Sequence, residues 1–137
     1  MQFKYTAQYI PDYGMMYMPR VNVFVKNRKN DIELPFLALI DSGASDTLLH
    51  SQIGEELGID TSSGEYIELQ GVGGVVAGYR HKIGLRLAGE KQVRQIECVF
   101  ASLQGVDALL GERGFFENYR VVFELYKNTF SVTARKT

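Results

Sequence analysis

Leu34-Pro35-Phe36-Leu37-Ala38-Leu39-Ile40-Asp41-Ser42-Gly43-Ala44-Ser45-Asp46-Thr47-Leu48-Leu49 is an apolar run that stops on an acid, turns through Ser-Gly and then becomes apolar again. The stretch before Asp41 has the length and apolar content of a buried strand. Asp, Ser and Gly all favour turns, the first two by local hydrogen bonding and Gly by its freedom at positive φ. A carboxylate placed where a buried strand gives way to a Gly turn loses part of its hydration and meets amide and hydroxyl donors. Those are the conditions that tune a carboxyl group for acid–base work. Taken alone, Asp41-Ser42-Gly43 also reads as an ordinary turn.

Around this stretch the β signals dominate. Eight Tyr, eight Phe and 14 Gly punctuate short runs rich in Val and Ile. Val21 to Lys26 alternates in polarity, and Lys26 to Asp31 is a polar turn leading into the strand that ends at Asp41. Ser51 is placed to cap a helix over Gln52 to Leu57, with Gly58 closing it at a left-handed position. Glu65 to Leu69, Tyr79 to Leu87 and Val93 to Phe100 read as strands, the last two joined by a hairpin turn over Leu87 to Gln92. Arg120 to Tyr126 and Thr129 to Thr133 make a terminal hairpin in which Val121, Phe123 and Leu125 alternate with polar or exposed positions. Tyr9 to Tyr17 reads as a loop or irregular hairpin. The pattern predicts an all-β barrel with one or two short helices.

Two further motifs follow the Asp-Ser-Gly turn. Gly71-Val72-Gly73-Gly74 lies between two predicted strands, and Asp107-Ala108-Leu109-Leu110-Gly111 is a second apolar run ending in Gly, leading into a short predicted helix over Glu112 to Asn118. Three such motifs in this order resemble the retropepsin-like aspartic proteases, a resemblance that covers roughly residues 19–134. The resemblance implies a closed acid-protease β barrel, one lobe per chain, acting as a homodimer. It further implies a single-domain cellular member with residues 1–18 as an N-terminal strand or loop extension and 19–137 as the protease domain. Its activity would be that of an aspartic endopeptidase, with a water activated by two carboxylates that share a proton.

Because the chain has a single Asp-Ser-Gly, each of two subunits would supply one Asp41 across a two-fold axis. On the same resemblance, Ser42 reaches the partner's backbone and Gly43 allows the two loops to meet. Ala44, Ser45 and Asp46 would contact substrate, and Gly71, Val72, Gly73 and Gly74 would form a flap over the peptide. Leu109, Leu110 and Gly111 pack beneath the catalytic loop. Arg113 stands near the position of a basic residue that braces the dimer, displaced by one residue, and reads equally as an exposed arginine. Asp46 likewise reads as a substrate contact or as a turn residue.

Composition narrows the remaining classes. A chain of 137 residues with 45% hydrophobic and 23% charged residues is a single domain large enough to bury a core. A net charge of −1, from 15 basic and 16 acidic residues, carries no electrostatic footprint for nucleic acid or a membrane surface. The single Cys98 sits in an apolar run, which predicts a buried thiol and a cytoplasmic protein. No apolar stretch approaches the length of a bilayer span, and no secretory leader is evident at the N-terminus.

No Cys/His/acid cluster surrounds His50 or His81, so no metal and no cofactor are predicted. The Gly71 segment lacks the Gly-Lys-Ser/Thr of a phosphate loop. Asp107 lacks a flanking Ser-Gly and reads as a turn cap rather than a second catalytic acid, and Glu55-Glu56 and Glu65/Glu68 read as solvated faces. The rival reading from another class is a dimeric peptide-binding or scaffolding module that keeps the barrel without hydrolysis.

Overall fold

A computed structural model describes residues 1–71 and 74–136. In chain order the described residues form β1 (Gln2–Lys4), β2 (Thr6–Ile10), β3 (Gly14–Met18), β4 (Arg20–Lys26), β5 (Glu33–Ile40), β6 (Leu48–His50), the helix α1 (Ser51–Glu56), β7 (Glu65–Gly71), β8 (Gly74–Leu87), β9 (Arg94–Ala101), β10 (Ala108–Leu110), β11 (Tyr119–Glu124) and β12 (Thr129–Ala134). Seven of these strands make one sheet in the order β4-β5-β10-β6-β9-β8-β7, and β4 also pairs with β8, so the sheet curls back toward its own edge.

The alternation read in β4 is real. Val21, Val23 and Val25 are buried, while Asn22 is exposed and Phe24 and Lys26 are half-buried, as the two-residue period of a strand requires. In β5 the inward residues are Ala38 and Ile40. Leu49, Leu57, Ile83, Leu85, Leu87, Phe100, Leu110 and Phe115 complete the core, and Cys98 lies among them. Burial pushes the Cys98 thiol well above its ordinary range, as desolvation of a thiolate must.

The connectivity near the first motif positions the site. β10 runs parallel to β5, pairing Leu109 with Leu39 and Leu110 with Ile40, and antiparallel to β6, pairing Leu109 with Leu48. The Leu-Leu of the third motif is thus threaded between the strand that enters the Asp41 turn and the strand that leaves it.

Two local expectations need correcting. α1 is capped by His50, whose Nδ1 accepts from the Gln52 N–H at 3.1 Å, while Ser51 is already its first helical residue. Gly58 does close the helix, at φ +77°. The segment Glu112 to Asn118 is a series of turns rather than a helix. Gly114 at φ +95° interrupts it, and the Glu112 and Arg113 N–H groups donate to Ala44 and Ser45 instead of starting a helical ladder.

β1, β12 and β11 form a second sheet, in which Phe3 stacks on Phe130 at 5.4 Å. The buried residues of this sheet include Tyr119, Phe130 and Val132. Phe123 and Leu125, read as alternating with polar positions, are 43% and 57% exposed, the latter because Leu125 has left the strand for a 3₁₀ turn that ends on left-handed Asn128. β2 and β3 make a separate hairpin, tied to β4 by Arg20, which donates to Thr6 Oγ1 at 3.1 Å and Gln8 Oε1 at 2.6 Å.

One buried polar group joins the second sheet to the large one. The Tyr119 hydroxyl donates to Glu90 Oε2 at 2.6 Å, and Glu90 also accepts from the Leu87 N–H. Burial and then this carboxylate hold the Tyr119 phenol well above its ordinary range. The unfolded chain would release that proton near pH ~10 whereas the folded chain keeps it, so this group's contribution to stability falls as pH rises past ~10. Tyr119→Phe should cost about 1–2 kcal/mol by leaving Glu90 short of a donor, read from urea unfolding at pH 7. The variant should also lose less stability than wild type on moving from pH ~9 to ~11.

Candidate active site

Asp41 emerges where β5 ends. Its N–H donates to the Leu110 carbonyl at 2.9 Å, which fixes the start of the turn to β10. The turn then closes on itself, with the Ala44 N–H donating to the Asp41 carbonyl at 3.1 Å and the Gly43 N–H to Asp41 Oδ1 at 2.9 Å. The Asp side chain thereby imitates a backbone turn. Position 43 is tight, since a Cβ there would lie 3.2 Å from Asp41 Oδ1. Asp41 is half-buried and Ser42 and Gly43 are exposed. One carboxylate oxygen is therefore oriented by an amide at the surface of the lobe.

The segment after the turn is zipped to the segment after Leu110. The Glu112 N–H donates to the Ala44 carbonyl at 2.9 Å and the Arg113 N–H to the Ser45 carbonyl at 3.0 Å. Thr47, fully buried, closes the arrangement. Its N–H and its hydroxyl both donate to the Arg113 carbonyl, at 3.1 and 2.8 Å, and its hydroxyl accepts from the Gly111 N–H at 3.3 Å. A threonine is suited to this because one hydroxyl both donates and accepts. Gly111 has no room for a side chain, since a Cβ there would lie 2.2 Å from the Asp46 carbonyl oxygen and 2.7 Å from that of Ala44.

Thr47 did not stand out in the sequence. Its only signal was a hydroxyl at the head of the apolar Leu48-Leu49 pair.

Asp46 is buried, and its carboxylate faces the lobe's own cations. Ser45 Oγ donates to Asp46 Oδ2 at 3.0 Å, while Arg113 Nε and Arg80 Nη2 lie 3.5 and 3.6 Å from Oδ1. Arg113 is thus brought to the motif as an ion-pair partner within the lobe, and Arg80 and Glu97 join it although nothing in the sequence marked them. Asp107 is carried to the opposite end of β10 from the turn, where its carbonyl accepts from the His50 N–H at 2.8 Å. Among the described residues no group of three or more His, Cys, Asp or Glu is arranged to hold a metal ion.

β7 and β8 form a long hairpin in which Leu69 pairs with Val76, Gln70 with Val75 and Gly71 with Gly74. Gly74 sits at φ +117° with open space around its Cβ position. Val72 and Gly73, read as part of the glycine-rich tip, lie outside the described residues. No described helix is long and apolar enough to cross a membrane.

Comparison with known proteins gives three findings. The sequence model of a family described as aspartyl protease matches residues 25–112, a stretch that includes the Asp41 turn, the Gly71–Gly74 hairpin and the Leu-Leu-Gly segment. No curated protein matches the chain in sequence. Among solved structures, a retropepsin-like aspartic protease from Rickettsia conorii aligns over 96% of this chain and 99% of its own length, at 17% identity and a TM-score of 0.59. The EIAV protease complexed with the inhibitor HBY-793 aligns over 69% of this chain and 82% of its own, at 21% identity and a TM-score of 0.51. At these identities the two structures speak to the fold, which is a single retropepsin-like lobe.

Proposed function

Because the chain belongs to the aspartyl protease family, we propose that two copies of the lobe pair about a two-fold axis and that Asp41 of each subunit contributes one carboxylate to a shared-proton dyad. The observation that carries this reading is the placement of Asp41, which follows a strand whose last turn-ward residues Ala38 and Ile40 are buried, has Oδ1 oriented by the Gly43 N–H at 2.9 Å, and is half-buried beside the exposed Ser42 and Gly43.

Two carboxylates this close hold one proton between them, since like charges at contact distance disfavour double ionisation. The ionised member takes a proton from water, whose oxygen attacks the peptide carbonyl carbon, while the protonated member gives its proton to the carbonyl oxygen. The tetrahedral intermediate then collapses, the C–N bond breaks and the leaving amine takes up a proton. Neither cofactor nor metal enters these steps.

The remaining residues follow from this arrangement. Ser42 bonds across the axis to the partner's backbone, and Gly43 permits the close approach of the two turns. The β7–β8 hairpin, whose described part ends on Gly71 and Gly74, acts as a flap that covers an extended peptide and excludes water. Ala44 and Ser45 line the substrate groove, and Asp46 supports it, its carboxylate being held by Arg80 and Arg113. Residues 19–137 act as the protease domain, with 1–18 an extension whose β1 joins the terminal sheet. Buried Cys98 as the only cysteine fits a reducing cytoplasm.

A peptide library incubated with the purified protein from pH ~4 to ~7 tests the reading. Cleavage blocked by a statine-type inhibitor is the expected result. Absence of cleavage in a sample shown to be dimeric would overturn it in favour of a peptide-binding module.

A further inference from the structure

Two carboxylates and two guanidiniums alternate in a ring behind the Asp41 turn. Arg80 Nη2 and Arg113 Nε lie 3.6 and 3.5 Å from Asp46 Oδ1, and Arg80 Nε and Arg113 Nη1 each lie 3.8 Å from Glu97 Oε2. All four distances exceed the ~2.7–2.9 Å of a charge-assisted hydrogen bond, and Arg80 Nε is buried without a hydrogen bond. Charge rather than directional bonding holds the ring.

The position of Arg80 along β8 gives the ring a consequence. β8 pairs with β7 from Gly74 to Arg80 and with β9 from Gly78 to Leu85, so only Gly78, Tyr79 and Arg80 are gripped on both sides in this part of the sheet. At Gly78 the strand crosses β9 so closely that a Cβ would lie 2.2 Å from the Phe100 carbonyl oxygen. Toward Gly74, β8 has β7 alone as a neighbour. Arg80 therefore stands at the root of the glycine-tipped hairpin, and its guanidinium reaches Asp46 in the segment that continues from the catalytic turn.

We infer that Arg80 is a positioning residue that fixes the root of the β7–β8 hairpin against the Asp41 turn, acting through Asp46, so that its far end at Gly71 and Gly74 keeps a set position relative to the reacting carboxylates. The inference rests on the proteolytic reading above. At ~3.3 Å per residue the hairpin from Arg80 to Gly74 is a lever of roughly 20 Å. A tilt of about 3° at its root moves the tip by about 1 Å, a displacement that costs up to about a hundredfold in rate. Glu97 closes the ring from β9 and keeps both arginines facing the motif.

Arg80→Met keeps the stem and removes the charge, and Arg80→Lys restores a charge without the fork. In Arg80→Met, kcat should fall about tenfold and KM should rise several-fold, because a misplaced hairpin weakens substrate binding as well as turnover. A simple loss of folded enzyme would lower apparent kcat with KM unchanged. Arg80→Lys should recover most of both parameters, since charge is what the ring needs. The double variant Arg80→Met with Asp46→Asn should be no worse than the poorer single variant.

Amide hydrogen exchange supplies a readout independent of turnover. Exchange at residues 42–47 and 74–79 should quicken in Arg80→Met while that of β1 and β12 stays as in wild type. If wild type proves unable to cleave peptides, the proteolytic reading fails and the exchange result alone decides the coupling. Unchanged KM, additive losses in the double variant, or unchanged exchange in both segments would overturn the inference.

Discussion

Asp41→Asn should lower kcat/KM for peptide cleavage about a thousandfold while leaving the fold intact, because the substitution removes the acid–base function and almost nothing else. The amide oxygen of the introduced asparagine still accepts from the Gly43 N–H, the 2.9 Å bond that shapes the turn, and the Asp41 N–H to Leu110 bond is a main-chain bond that the side chain does not touch. Thermal unfolding should therefore shift by less than ~3 °C, which corresponds to less than about 1 kcal/mol for a domain of this size. Peptide affinity should persist within a few-fold, since an extended substrate is held chiefly by main-chain hydrogen bonds. Steady-state kinetics beside a peptide-binding titration would measure both. Equal turnover by the variant and wild type would remove Asp41 from the chemistry altogether.

The second large effect is structural. In Gly111→Ala the new Cβ would meet two backbone carbonyl oxygens, of Asp46 at 2.2 Å and of Ala44 at 2.7 Å. Neither oxygen belongs to a flexible side chain, and the chain between them is fastened by the Glu112 to Ala44 and Arg113 to Ser45 hydrogen bonds. Relief would have to come from parting β10 from the motif. The expected cost is about 3 kcal/mol or more, at the upper end for overpacking a tight site, measured by urea unfolding. Activity should fall further than the folded fraction, because the surviving fold carries a displaced Asp41 turn.

Gly105→Ala provides the contrast. Gly105 sits at φ +77° with nothing within 4 Å of its Cβ position, so only backbone strain of about 1–2 kcal/mol is expected. Similar losses in the two variants would show that close packing at Gly111 is not what the Leu-Leu-Gly segment supplies.

What the sequence discloses here is local. The Asp41 turn was legible because a strand-length apolar run ending on turn formers leaves few alternatives, and Val21, Val23 and Val25 were legible because a two-residue period survives burial. Gly58 at a left-handed helix end follows from the same kind of short-range chemistry. The helix misread over Glu112 to Asn118 has another cause, in that a distant segment decided the outcome.

Glu112 to Asn118 has an acceptable helical composition, yet the N–H groups that would begin the helix are taken by Ala44 and Ser45, and Gly114 turns left-handed where a Cβ would lie 2.7 Å from the Glu97 carbonyl oxygen. His50 displaces Ser51 as cap by a local competition, its ring nitrogen reaching the Gln52 N–H two residues on. Arg80 and Glu97 acquire their role only when the register of β8 on β9 sets them beside Asp46 and Arg113. Thr47 belongs with them, since a single hydroxyl gains meaning only from the Arg113 carbonyl and Gly111 N–H it joins.

The central claim is that one active site needs an Asp41 from each of two chains, and mixing wild-type protein with Asp41→Asn tests it most directly. Equimolar chains allowed to exchange subunits form wild-type homodimers in only about one quarter of the dimers, as random pairing about a two-fold axis requires. The account predicts cleavage at about one quarter of the rate of the same total concentration of wild type, with rate rising as the square of the wild-type fraction across a titration. A rate of about one half, linear in that fraction, would mean that each chain works alone and would contradict the shared dyad.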